Sequence, residues 1–296
     1  PTEYRDGRTR KSLGAIWCCD DPTALAASAS PLEQFLFSRS KLMSHRSIRL
    51  FWMLLLAIAW PAVVWSDRPH VVMLIAEKEY QTDESLPAFA AERLKDCTTT
   101  FVFADARDPN RLEGIEAIES ADVLLVSVRR RTLPSEQLDR IRRYVASGKP
   151  VIGIRTASHA FALRNSGPPE GRAVWPEFDR QVFGGNYTNH YGNSLKVSIN
   201  VADDLPADSA RLIDEIPRRK SFPSGGSLYR VSPLADGAIV LLHGEVPGHA
   251  SEPVAWTFRR EDGGKSFYTS LGHVDDFKQG VLPQLLVNAI DWSLGR

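Results

Sequence analysis

Apolar runs alternate with helix-patterned stretches from His70 onward, and that alternation restricts the fold more than any other feature of the chain. "HVVMLIAE" (His70–Glu77) is a continuous apolar run, as expected of a strand covered on both faces. "SLPAFAAERLKD" (Ser85–Asp96) has helical spacing with Ser85 as its N-cap, and "TTTFVFAD" (Thr98–Asp105) is a second strand. "RLEGIEAIESA" (Arg111–Ala121) reads as a short helix and "DVLLVSV" (Asp122–Val128) as a third, buried strand. "LPSEQLDRIRRYVASG" (Leu133–Gly148) has Pro134 and Glu136 early, Arg142 and Arg143 late, and Gly148 as a stop. "KPVIGIR" then supplies a fourth strand. Strands alternating with helices imply right-handed parallel crossovers and a doubly wound sheet.

The second half has a different rhythm. "WPEFDRQVFGG" (Trp175–Gly185) reads as a short helix ending in glycines, and "SLKVSINVA" and "GAIVLLHGE" as strands. "PVAWTFRR" and "KSFYTSLGH", joined by Glu261-Asp262-Gly263-Gly264, form a hairpin signal. "GVLPQLLVNAIDWSLG" is a closing amphipathic helix. The expectation is one three-layer α/β domain, mostly parallel, with an antiparallel addition in its second half.

Upstream of this region, residues 1–42 have neither periodicity and hold Cys18 and Cys19, two of the three cysteines. They read as a non-native upstream segment. From Met43 the chain has a cationic start (His45, Arg46, Arg49), an apolar run from Leu50 to Ala59 and a small residue, Ser66, after Val64-Trp65. That is the order of parts in a secretory signal peptide over 43–66, too short for the ~20 apolar residues of a spanning helix. The expected mature domain is 67–296, periplasmic or secreted, touching a membrane only through the signal segment. It keeps Cys97 alone, so an internal disulfide and a CxxC redox or zinc site are excluded by count. From residue 67 on, 28 basic side chains face 31 acidic ones, and Arg129–Arg131 is a local basic cluster that reads as a solvated face; no nucleic-acid surface is expected.

In open α/β sheets ligands bind beyond the carboxyl ends of the strands. The residues leaving those ends are Glu77 to Tyr80, Arg129–Arg131, then Arg155, Thr156, Ser158 and His159, and later His243 and His273. Asn186, Asn189 and His190 follow the Gly184-Gly185 turn. Arg155 stands where a G-x-nucleophile elbow would place its reactive group, two residues after Gly153. A guanidinium stays protonated and cannot attack, and no GxSxG sequence surrounds Ser158, so covalent hydrolase chemistry is disfavoured. Arg155 can hold an anion or carbonyl oxygen, or pair with Glu77 or Glu79. Histidine suits proton transfer near neutral pH and zinc ligation. His190, His273 and His159 are therefore the candidate catalytic groups, with His190 and His273 also candidates for a divalent metal such as zinc. Arg155, Asn186, Asn189, Glu77 and Tyr80 are the candidate substrate-binding groups. Tyr187, Tyr191 and Trp175 could line a groove beside Tyr80.

"VWPEFDRQVFGGNYTNH", "PVAWTFRREDGGKSFYTSLGH" and "LLVNAIDW" resemble the ThuA-like (trehalose-utilisation) family, over about Val71 to Trp292. The resemblance implies the class I glutamine-amidotransferase-like, flavodoxin-like fold and a link to disaccharide or keto-sugar catabolism, with a small carbohydrate as the partner. "AEKEYQTDESLPAFA" and the segment from Ser127 to Phe161 look similar to a planctomycete-type subgroup. His190 and His273 fall on matching family positions. At the elbow, many members carry a histidine where this chain has Arg155. Three readings follow: an exported carbohydrate-directed protein with a histidine-lined site, a non-catalytic sugar-binding or complex-forming domain on the same fold, and, disfavoured by Arg155, a glutaminase or peptidase.

Overall fold

The computed structural model describes residues 68–164, 167–279 and 281–296; the upstream segment and the leader read over 1–42 and 43–66 lie outside the described residues. β1 (His70–Ala76), β2 (Thr98–Phe103), β3 (Val123–Val128) and β4 (Val151–Ile154) run parallel. β5 (Val197–Val201), β6 (Phe222–Ser224), β7 (Ile239–Glu245) and β8 (Glu252–Arg259) are antiparallel to one another. β9 (Lys265–Thr269) joins the two halves, parallel to β4 on one side and antiparallel to β8 on the other. The nine strands lie in the order β2-β1-β3-β4-β9-β8-β7-β5-β6.

Period-two alternation divides the core in two. Val71, Met73, Ile75, Val123 and Leu125 point to one face, where α1 (Thr82–Arg93) contributes Leu86 and Phe89 and α4 (Leu282–Leu294) contributes Leu282, Leu285, Leu286 and Ile290. Val72, Leu74, Leu124 and Val126 point to the other, against Leu138, Ile141 and Tyr144 of α2 (Ser135–Ala146). This is the three-layer α/β arrangement that the runs imply. Each fully buried Leu or Ile contributes roughly 1.5–3 kcal/mol. Truncating one at the centre, such as Leu286→Ala, costs about 2–5 kcal/mol with the cavity included.

Three local expectations need correction. α1 begins at Thr82, a turn before Ser85, because Glu77 accepts hydrogen bonds from the Thr82 amide (3.0 Å) and hydroxyl (2.5 Å) and so satisfies the helix start from the end of β1. Arg111–Ala121 is helical only as a 3-10 segment over Ile115–Ser120. Trp175–Gly185 holds a single wide π-turn, Asp179–Phe183, whose last carbonyl accepts the buried Trp256 indole N–H at 2.7 Å. α3 (Val274–Gln279) follows β9 directly.

Candidate functional site

β1 has β2 on one side and β3 on the other, so the connections reverse direction at this point, and beyond the carboxyl ends of such a switch point open α/β sheets bind their ligands. Four adjacent parallel strands, β1, β3, β4 and β9, deliver Tyr80, Arg129–Arg130, Arg155 and Ser270–His273 to that edge. The loop after β6 crosses over from the antiparallel half and adds Ser227 and Tyr229.

Arg155 is the centre of the cluster. It has φ +47°, a left-handed conformation that β-carbon sterics make costly for any residue but glycine, by about 1–3 kcal/mol. The elbow geometry is thus present, with a cation at its apex. The side chain is buried, with one Nη donating to the carbonyls of Ser270 (2.8 Å) and Ser227 (3.0 Å) and the other reaching the hydroxyls of Ser227 (3.2 Å) and Tyr80 (3.5 Å). Its guanidinium carbon lies 4.4 Å and 4.6 Å from the ring centres of Tyr229 and Tyr80. Its Nε–H has no partner among the described residues. The expected ion pair with Glu77 or Glu79 is not formed: Glu77 is spent on the Tyr80 amide and on Thr82, and Glu79 pairs with Arg129 at 2.8 Å. Desolvating an ion costs several kcal/mol, on the order of what the carbonyls and ring faces return. Two glycines make room. A β-carbon on Gly226 would lie 2.7 Å from the guanidinium carbon, and one on Gly272 would lie 2.9 Å from the Arg155 β-carbon.

His159 is buried and stacks on Tyr187 with ring centres 4.5 Å apart; Tyr229 lies beyond at 6.2 Å. Burial, reinforced by Arg130, Arg129, Arg164 and Arg155, pushes its imidazole down to about 2. It is a neutral ring and a poor base, contrary to the acid/base role read from the sequence. Ser158 shares a hydrogen bond with its Nδ1 at 3.1 Å, but so weak a base cannot activate the hydroxyl.

His273 lies at the other end of the cluster, its ring 6.0 Å from that of Tyr80; its Nδ1 accepts the Asp275 amide at 3.2 Å. His190 approaches through Tyr229, with ring centres 6.5 Å apart, and donates from Nδ1 to the Tyr191 carbonyl at 2.7 Å. A chain of neighbouring groups therefore runs His273–Tyr80–Arg155–Tyr229–His190, with Glu77 buried beneath it. Asn186 and Asn189 are exposed; the first donates to the Ser232 carbonyl at 3.4 Å and the second pairs by its backbone with Arg230. Trp175 packs on Phe178, and Tyr191 on His249, away from Arg155. Among the described residues no three His, Cys, Asp or Glu side chains are grouped to hold a metal ion, so His190 and His273 do not form the three- or four-ligand set that zinc takes.

Tyr229, Ser227, Ser270 and Asp276 were not anticipated. Asp276 is buried and accepts the amides of Gly225 (2.8 Å), Gly272 (3.0 Å) and His273 (3.0 Å), which ties the loop after β6 to the loop after β9. The one sequence signal for this part was the Ser-Gly-Gly-Ser run at 224–227.

The family model for trehalose utilisation, ThuA, matches residues 71–293. A ThuA-like protein from Bacteroides uniformis ATCC 8492 superposes with a TM-score of 0.57 at 18% identity, covering 80% of this chain and 96% of that one. Another from Parabacteroides merdae ATCC 43184 gives 0.49 at 16% identity, covering 78% and 91%. No curated protein matches significantly. At this identity the likeness to the Bacteroides uniformis protein concerns the fold.

Proposed function

The chain belongs to the ThuA (trehalose utilisation) family, and on that premise we propose that it is an exported protein that binds a sugar at the carboxyl edge of its sheet. The observation that carries the reading is Arg155: a strained elbow at the usual catalytic place, holding a buried donor framed by two tyrosine rings instead of a nucleophile. Sugar recognition needs apolar ring faces for C–H surfaces and polarised donors for hydroxyls. Tyr80 and Tyr187 are half-buried and offer the faces. The hydroxyls of Ser227 and Tyr80 accept from Arg155, which polarises them toward a further acceptor. His273 and His190 stand at the two ends of the cluster, with their Nδ1 atoms occupied. Proton exchange with a bound sugar falls to His273 through its Nε2, which makes no bond to the described residues. A purely binding domain is the second reading, favoured by the neutral, stacked state of His159.

The test is calorimetric titration of the mature chain with trehalose and with other disaccharides. Tyr80→Ala and His273→Ala should each weaken binding about tenfold or more, the loss of one or two good contacts, with little change in thermal stability. Affinity unchanged in both variants would overturn the site. Turnover of a bound sugar that is lost in His273→Ala selects the enzyme reading; binding without turnover in the wild type selects the second.

A further inference from the structure

The exit of β3 repeats the oddity of the exit of β4. Arg130, like Arg155, is a left-handed non-glycine residue, with φ +49°. The two adjacent strands are tied there, since the Arg130 amide donates to the His159 carbonyl at 3.1 Å. Two strained residues of the same charge side by side at a sheet edge are the kind of outlier from which a function is inferred. Arg130 donates from one Nη to the Ala162 carbonyl at 3.2 Å, and its Nε–H is buried without a partner among the described residues. Arg129, Arg155 and Arg164 bear on the same spot, because all four act on the His159 imidazole. Among the described residues the only ion pair made by any of the four is Arg129 with Glu79. Burial and the neighbouring arginines also make the Arg130 cation harder to hold, which marks a place short of negative charge.

Resting on the sugar-site reading above, we infer that the sugar taken at this edge carries an oxyanion, either a carboxylate as in a uronic acid or a phosphate ester, that docks on Arg130 beside Tyr187. A guanidinium presents a planar fork that matches either group. Arg130 keeps one Nη of that fork, which makes no bond to the described residues. Arg155 has its Nη hydrogens engaged and acts from beneath, through its field, in a site whose low polarity weakens screening. Arg164, which is exposed, adds its charge to that of Arg130.

Titration of the mature chain with glucose, glucuronate, glucose 6-phosphate and inorganic phosphate tests this. The charged sugars should bind at least tenfold tighter than glucose, and the tighter of the two names the oxyanion. That advantage should shrink when salt is raised from about 50 to about 500 mM, as screening requires. Arg130→Gln should abolish it, while Gln at the exposed helix residue Arg143 should not. If Arg130→Gln folds poorly, Arg164→Gln, on an exposed position, should still cut the advantage several-fold. Equal affinity for glucose and the charged sugars, or an advantage that survives in both arginine variants, overturns the inference and leaves the sugar site standing. Phosphate binding that depends on Arg130, with no sugar bound, overturns the sugar reading instead. If neither charged sugar binds, the inference falls, and the sugar site is decided by the disaccharide titration above.

Discussion

Burial acts in opposite senses on two residues on either side of Tyr187. Asp179 accepts the Tyr187 amide at 2.8 Å through one oxygen, while its other oxygen has no partner among the described residues, and burial pushes its carboxyl up to about 7. Between about 4 and 7 the native state holds a proton that the unfolded chain has lost, so this group makes stability fall as pH rises through that window. His159 is held neutral down to about 2, while an unfolded histidine binds a proton below about 6.5; its contribution is therefore lost as pH falls below 6.5. The two slopes oppose each other in mildly acid solution. Asp179→Asn removes one of them. In chemical denaturation the variant should gain stability over the wild type at pH 8, on the order of 1–3 kcal/mol at about 1.4 kcal/mol per pKa unit, and lose that gain near pH 4. A gain that is the same at both values would refute the assignment. None of this was legible in "WPEFDRQVFGG", because the orphaned oxygen arises only where the chain folds back at Tyr187. Arg155 was legible as the elbow occupant from its spacing to Gly153. Its partners were not, since Tyr229 and Ser270 lie far along the chain and meet it only through the sheet order.

At the level of elements, the apolar runs located the parallel strands of the first half within about two residues, but "SLKVSINVA" starts three residues before Val197 and "KSFYTSLGH" runs four past Thr269; the antiparallel half was placed after the parallel one. What failed were boundaries decided by a distant side chain. Glu77 starts α1 early, and nothing near Ser85 reports it. Asp276 has the same kind of role on a larger scale: one carboxylate joins the loops that follow β6 and β9, and with them His273 and the Gly226 approach to Arg155. In the sequence it is merely the second acidic residue of a short helix. Asn at this position keeps the shape but turns one acceptor into a donor against amide N–H groups. Asp276→Asn should therefore cost about 2–3 kcal/mol, the scale of lost charged hydrogen bonds. Hydrogen exchange should speed up in peptides spanning 222–229 and 270–276 and remain as it was in β1 and β3. Uniform exchange over the chain would show that the carboxylate holds no particular loop.

For the molecule as a whole, export remains a proposal drawn from the pattern at Met43–Ser66. Expression from Met43, followed by fractionation and terminal sequencing, should give a periplasmic chain that begins at Asp67; a chain retaining Met43 in the membrane fraction would make the segment an anchor. The sheet order has a further consequence, for the time course of folding. β9 is the fifth of nine strands in space and the last of the nine to be synthesised. Until it arrives, the flank of β4 that becomes the middle of the sheet is a bare edge, open to pairing with another chain. Arg155 meets the Ser270 carbonyl across 115 residues of sequence, so a nascent chain that has just passed the elbow carries a cation that still lacks both of its carbonyls and the Tyr229 ring. Closure of such distant pairs is slow, and an interrupted chain stops with its most adhesive surface where the mature protein has its centre.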